Sequence, residues 1–257
     1  MTTKFRTAYM TLGVTLLLAG VSIGMNARAG AAGPRARQAG ATASGQGNIA
    51  GRVNFSGKPP QLRPIVMTTD PVCASAQDGT VLPEDGRVNA NGTLPNAFVY
   101  ISKGSGNLSL QAPSSTVTMT QKGCSYVPHV LGIQVGQRLV VDSEDPTTHN
   151  VHVTPKAGRD WNVSQQPGSE PVGTKFANAE IMVPVHCNVH PWMRAYIGVV
   201  TNPYFAVTGT DGSFTIKGVP PGDYTLSIWT ATFGTQEHQV TVRAGETATA
   251  DFTFQSK

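Results

Sequence analysis

The sequence predicts an all-β chain built of β-sandwiches, and three observations carry that prediction. Charged residues make up 13% of the 257 positions, while 28 Gly and 18 Pro punctuate the chain, a balance suited to short strands and tight turns. From residue 48 onward the apolar residues alternate with period two, the pattern of half-buried strands. No stretch there keeps an apolar period of 3.6, and none pairs a helix cap with an amphipathic run. Many short strands at this spacing point to more than one sandwich.

Residues 1–29 read as an export signal. Lys4 and Arg6 form a positive start, a mostly apolar stretch runs from Ala8 to Met25, and Ala27-Arg28-Ala29 offers a cleavage site. Roughly 18 apolar residues is also the short limit of a membrane span, so an uncleaved anchor is the alternative and the only route to the membrane. Gly13, Gly20 and Gly24 weaken that alternative. No Cys follows the apolar stretch, which leaves a lipoprotein anchor unsupported. Residues 30–47 are small, polar and aperiodic, as in a flexible tether. A periplasmic or extracellular location follows.

The formal charge of +4 belongs to this leader. Lys4, Arg6, Arg28, Arg35 and Arg37 precede residue 47, and the remainder carries 14 basic against 15 acidic residues. The basic balance therefore implies no nucleic-acid partner.

The strands follow in order: NIAGRVNFSG, NAFVYISKG, VTMTQKG, LGIQVGQRLVV, HNVHVTP, AEIMVPVHC, YIGVVT, SFTIKG, YTLSIWT, HQVTVRAG and ATADFTF. GKPP, NANG, EDP, TGTDG and VPPGD supply turns between them. The opening run from Asn48 to Lys103 resembles the first strands of a carboxypeptidase regulatory-like, transthyretin-type sandwich. VTGTDGSFTIKGVPPGDYTLSIW, with the last strands to Phe254, resembles the rest of that family's pattern. Residues 115–201 resemble a cupredoxin. The resemblances imply a cupredoxin Greek-key sandwich (115–201) inserted into a smaller regulatory-like sandwich (48–104 and 205–257). Insertion is physically easy where domain termini lie close together. Two β-domains in series is the alternative.

The chemistry lies in VPVHCNVHPWMRAYIGVV, residues 183–200, which spaces a thiolate, an imidazole and a thioether as Cys187-x-x-His190-x-x-Met193. Upstream, SEDPTTHNVHV sets His149 at the start of a strand after a turn. A thiolate with imidazoles and a weak axial thioether is the donor set of blue-copper electron-transfer sites. HCNVHPWMR with HNVH upstream resembles the amicyanin-like cupredoxins, which share these short spacers. YVPHVLGIQVGQRLVV resembles the preceding cupredoxin strands. The resemblance implies one type 1 copper per chain held by His149, Cys187, His190 and Met193, with Asn150 tying the first-ligand strand to the cysteine loop. Each residue has a plainer reading: Met193 as core filling, Cys187 as an unpaired cysteine, and the set as a zinc site, although Met is a poor zinc ligand.

The other histidines carry no such claim. His186 faces away from Cys187 by strand alternation, and His152 faces away from His149. His129 starts a strand, and His238 belongs to the C-terminal strands. With Cys187 given to metal, Cys73 and Cys124 form the expected disulfide, worth about 4 kcal/mol if unstrained. Two free thiols or a second metal site are the alternatives.

The function expected is single-electron transfer between redox partner proteins by transient docking. His190 is the electron exit if its ring edge reaches solvent. Pro191 and Trp192 offer an apolar docking patch, with burial of Trp192 the equal alternative. Copper binding or storage without turnover, or a structural β-module, is the second reading. No H-x-H pairs, C-x-x-C-H, G-x-S-x-G, H-E-x-x-H or phosphate loop occur, and the chain is expected not to be an enzyme.

Overall fold

The structure is a computed structural model that describes residues 45–104, 106 and 110–256. The export signal (1–29) and residues 30–44 of the tether lie outside the described residues. Among the described residues no helix is long and apolar enough to cross a membrane.

The chain enters on β1 (Gly47–Ser56), passes a short helix α1 (Pro71–Ser75) and returns as β2 (Phe98–Lys103). Next come β3 (Val117–Gln121), β4 (Tyr126–Val127), β5 (Val130–Gln134) and β6 (Arg138–Ser143). β7 (His149–Val153), β8 (Trp161–Gln165), β9 (Val172–Lys175), β10 (Glu180–His186) and β11 (Arg194–Val200) follow. The chain closes through β12 (Phe205–Val207), β13 (Ser213–Val219), β14 (Gly222–Thr230), β15 (Gly234–Val242), β16 (Thr247–Thr249) and β17 (Phe252–Gln255). The all-β class is as the alternation predicts.

Four sheets result. β13-β1-β16, with β17 also on β1, and β12-β2-β14-β15 combine strands from the two ends of the described chain. They enclose a core containing Ile49, Val53, Val99, Phe214, Leu226 and Ile228. We refer to this pair as the terminal sandwich. Alternation explains it locally: Ile49, Val53 and Phe55 of β1 point inward. Two turns shape its later strands. Asp211 accepts from the Ser213 N–H (3.0 Å) and hydroxyl (2.7 Å), and the Tyr224 hydroxyl donates to the Pro220 carbonyl (2.8 Å).

The other two sheets, β5-β11-β10-β7-β8 and β4-β3-β6-β9, use only strands between residues 117 and 200. Met119, Leu139, Val141, Val151, Val185 and Ile197 fill the core between them. This central sandwich meets the terminal one through a third apolar cluster of Phe98, Val130, Met182 and Val200, with Phe205 and Trp229 against it. Two glycines permit that contact. A Cβ on Gly132 would lie 2.2 Å from the Phe205 ring, and one on Gly198 would lie 2.4 Å from the Phe98 ring.

The periodicity argument missed α1, a single turn too short to show a period. Its signal is local: Asp70 caps it by accepting from the Val72 and Cys73 N–H groups, and Pro71 opens the first turn. β8, β9 and β12 also lie outside the expected strands, because WNVSQ and VGTK hold few apolar residues and FAV is too short to alternate. The segment between β1 and β2 packs on the central sandwich. Asp85 there accepts from the Tyr196 hydroxyl of β11 (3.1 Å) and pairs with His129 Nε2 (2.8 Å).

Candidate metal centre

Strand pairing brings the ligand loop to the start of β7. β10 lies between β7 and β11, with His186 opposite His152 on one side and Arg194 on the other. Residues 187–193 therefore form the loop that joins the paired strands β10 and β11. Two backbone bonds close the loop on itself, Cys187 N–H to the Met193 carbonyl (3.2 Å) and Met193 N–H to the His190 carbonyl (2.9 Å). His149 opens β7 directly beside it.

Three donors converge. The Nδ1 atoms of His149 and His190 are 3.0 Å apart, and Cys187 Sγ is 3.9 Å from His190 Nδ1. His149, Cys187 and His190 each offer a ligand atom within 4.8 Å of the others. Their exposures are 0%, 3% and 2%, and Met193, at the end of the same loop, is 1% exposed. Cys187 is a free thiol among the described residues.

The far side of each imidazole is held by a carboxylate. Asp145 Oδ2 lies 2.8 Å from His149 Nε2, and Asp70 Oδ2 lies 2.9 Å from His190 Nε2. A carboxylate on the remote nitrogen fixes the proton there and leaves Nδ1 free as a donor. Burial disfavours charge on His149, but Asp145 and Cys187 outweigh it and push its pKa up to about 9. Burial likewise opposes the Cys187 thiolate. His149 and the N–H groups of His190, Asn150 and Val189 outweigh burial and lower its pKa. Asp70 is lowered to about 2: burial raises it, while His190, Thr147 and the N–H groups of Cys73 and Val72 pull it down.

Asn150 links β7 to the loop after β10. Its N–H donates to Cys187 Sγ (3.3 Å), and its Oδ1 accepts from the Asn188 N–H (3.2 Å). Its Nδ2 donates to Asn162 Oδ1 (2.6 Å) and the Val163 carbonyl (3.2 Å), joining β7 to β8. The Tyr126 hydroxyl donates to the Asn150 carbonyl.

Cys73 and Cys124 form a disulfide. Each half-cystine adjoins one carboxylate–imidazole pair, and those groupings also cluster tightly. With both sulfurs bonded to each other, neither supplies a thiolate. Sequence reasoning missed Asp70, Asp145 and Thr147. Asp145 had a weak signal in the EDP turn four residues before His149. Asp70 lies 120 positions from His190 and had none beyond its capping role.

The histidines given no ligand role lie outside this cluster. His152 and His186 pair across strands, their rings 4.4 Å apart, with His152 bonded to Asn188 and Asp160. His129 joins the Arg194 carbonyl to Asp85. His238 packs edge-on against Phe252 on the terminal sandwich. Trp192 is half-buried, its ring 5.0 Å from that of His190 and its Nε1–H on the Cys124 carbonyl (3.1 Å). The condition set for His190 as an electron exit is not met: its ring is buried, with Asp70, Cys73 and Trp192 against it.

Residues 193–255 match the carboxypeptidase regulatory-like domain model. The match begins at Met193, ahead of the expected 205, although β11 pairs within the central sandwich. No curated protein matches the chain significantly. Similar solved structures include a copper-containing nitrite reductase from Thermus scotoductus SA-01, at 24% identity and TM-score 0.31, covering 33% of this chain and 22% of that one. A purple cupredoxin from Nitrosopumilus maritimus matches at 19% identity and TM-score 0.28, covering 32% of this chain and 98% of that one. A reduced amicyanin variant matches at 17% identity and TM-score 0.31, covering 39% of this chain and 97% of that one. Both resemblances read from the sequence, to cupredoxins and to carboxypeptidase regulatory-like domains, thus recur among these matches. The expectation that the chain is not an enzyme is corrected by the first of them. The structures it resembles include a copper-containing nitrite reductase as well as cupredoxins.

Proposed function

We propose that this chain is an exported type 1 copper protein that passes single electrons between redox partners. One observation carries the reading: two imidazole Nδ1 atoms and a thiolate-favouring Cys187 converge in a buried pocket on pre-formed hydrogen bonds. This donor set suits copper, which takes thiolate and imidazole together and tolerates a weak axial thioether. His149, Cys187, His190 and Met193 would hold the ion. Copper supplies the Cu(I)/Cu(II) couple.

The chain's own residues make that couple easy to use. Asn150 and the His190 N–H orient the sulfur, and Asp145 and Asp70 fix the two rings. Side chains so held would move little on a one-electron change of the bound ion, which would favour fast exchange. Partners would dock transiently on the Pro191–Trp192 side. The central sandwich would be an insertion in the regulatory-like one, and the disulfide suits an oxidising, exported setting.

The burial of His190 favours a second reading, copper binding without turnover. Voltammetry of the copper-loaded chain separates the two. A reversible one-electron couple with fast self-exchange supports the carrier. Tight Cu(I) binding with no reversible couple supports storage and contradicts the carrier.

A further inference from the structure

We propose that Asp70 is a positioning residue for the metal centre, carried on a lid that the Cys73–Cys124 disulfide pins over His190. The inference rests on reading His149, Cys187 and His190 as copper ligands.

The lid is α1 and its cap. Asp70 splits its two oxygens between two tasks. Oδ1 accepts from the Val72 N–H (2.8 Å) and the Cys73 N–H (3.3 Å), which starts the helix. Oδ2 accepts from the Thr147 hydroxyl (3.0 Å) and faces His190 Nε2 (2.9 Å). Thr147 sits two residues before His149, so one carboxylate joins the lid, the approach to the first ligand and the ring of the second.

The disulfide makes this arrangement two-sided. Cys73 Sγ lies 3.7 Å from His190 Nε2. Across the bridge, the Cys124 N–H donates to Asp145 Oδ2 (2.8 Å), the same oxygen that faces His149 Nε2 (2.8 Å). Each half-cystine thus anchors, through its own N–H, the carboxylate that holds one imidazole. Trp192 closes the remaining side by donating to the Cys124 carbonyl. An imidazole on a seven-residue loop could otherwise swing outward. Here it is pinned and shielded, and the anionic partner strengthens it as a donor.

Two consequences follow for the copper-loaded chain. Negative charge beside the remote nitrogen favours Cu(II) over Cu(I) and lowers the midpoint potential. Pinning His190 slows removal of copper by outside ligands.

The test uses full-length, copper-loaded protein with Asp70→Asn, Asp70→Glu and a Cys73→Ser/Cys124→Ser double variant. Asn is as good a helix cap as Asp, so Asp70→Asn keeps the α1 cap while removing the charge. We expect Asp70→Asn to keep the blue band, raise the midpoint potential and speed copper loss to a chelator by about tenfold or more. Asp70→Glu restores part of both effects, and the double variant speeds copper loss at a nearly unchanged band energy. An unchanged potential and release rate in Asp70→Asn, with the band intact, overturns the proposal. Absence of a blue band in the wild type overturns the ligand assignment instead, and the proposal with it.

Discussion

Asp145 holds the remote nitrogen of His149 at 2.8 Å, with both side chains buried. The same carboxylate accepts from the Gly123 N–H (2.6 Å) and the Cys124 N–H (2.8 Å), so His149 is tied to the loop bearing the disulfide. Burial works against its charge, but His149 and those two N–H groups outweigh it and hold the carboxyl below its usual pKa. Asp145→Asn is expected to weaken copper affinity by about 10- to 100-fold. Competition titration against a Cu(II) chelator measures this, and an unchanged constant would contradict the role.

The disulfide closes a separation of 51 residues between the lid and the central sandwich. Replacing both cysteines with Ala should destabilise the chain by about 4 kcal/mol if the chain-entropy account holds. Urea unfolding with the intact protein as reference gives the difference. A change below about 0.5 kcal/mol would mean the bridge constrains little in the unfolded chain.

Contact between the sandwiches depends on absent side chains as much as present ones. A Cβ at Gly132 would stand 2.2 Å from the Phe205 ring and 2.8 Å from that of Phe98. Gly132→Ala should cost about 1–3 kcal/mol by overpacking, and Phe98→Ala about 3–5 kcal/mol by leaving a cavity. Thermal unfolding of both variants tests this. Wild-type stability in Gly132→Ala would show that the rings move aside freely.

Asp85 gives a pH dependence away from the metal site. Burial raises its pKa, but the His129 hydrogen bond and charge, the Tyr196 hydroxyl and Arg194 together bring it below the ordinary value. A depressed folded pKa means stabilisation that is present above the unfolded carboxylate value, about 4, and is lost as pH falls through the folded one. The stability gap between wild type and Asp85→Asn should therefore be present above about pH 4 and close as pH falls below it. Denaturant titrations from pH 7 to pH 3 measure the gap, and one that widens on acidification would refute the assignment.

The all-β class and the ligand loop were legible because their signals are local. Alternation marks each strand within a few residues, and Cys187, His190 and Met193 sit three apart in a single connection. Asn150 was also within reach, being the neighbour of His149. The lid was not legible. Asp70 is 120 positions from His190, and α1, at five residues, is too short to show a period. Burial of His190 depends on that distant segment, so residues 187–193 alone left the exposure of its ring open. Alternation sets His152 and His186 away from His149 and Cys187, whereas their cross-strand pairing and the Asp85–His129–Tyr196 contact needed the fold.

The central claim is that His149, Cys187 and His190 bind one copper through a thiolate. Its most direct test is the visible spectrum of the mature chain after addition of one equivalent of Cu(II), beside a Cys187→Ser variant. An intense thiolate-to-copper band that saturates at one equivalent and vanishes in Cys187→Ser is the predicted result. A wild type that stays colourless, or a variant that keeps the band, would contradict it.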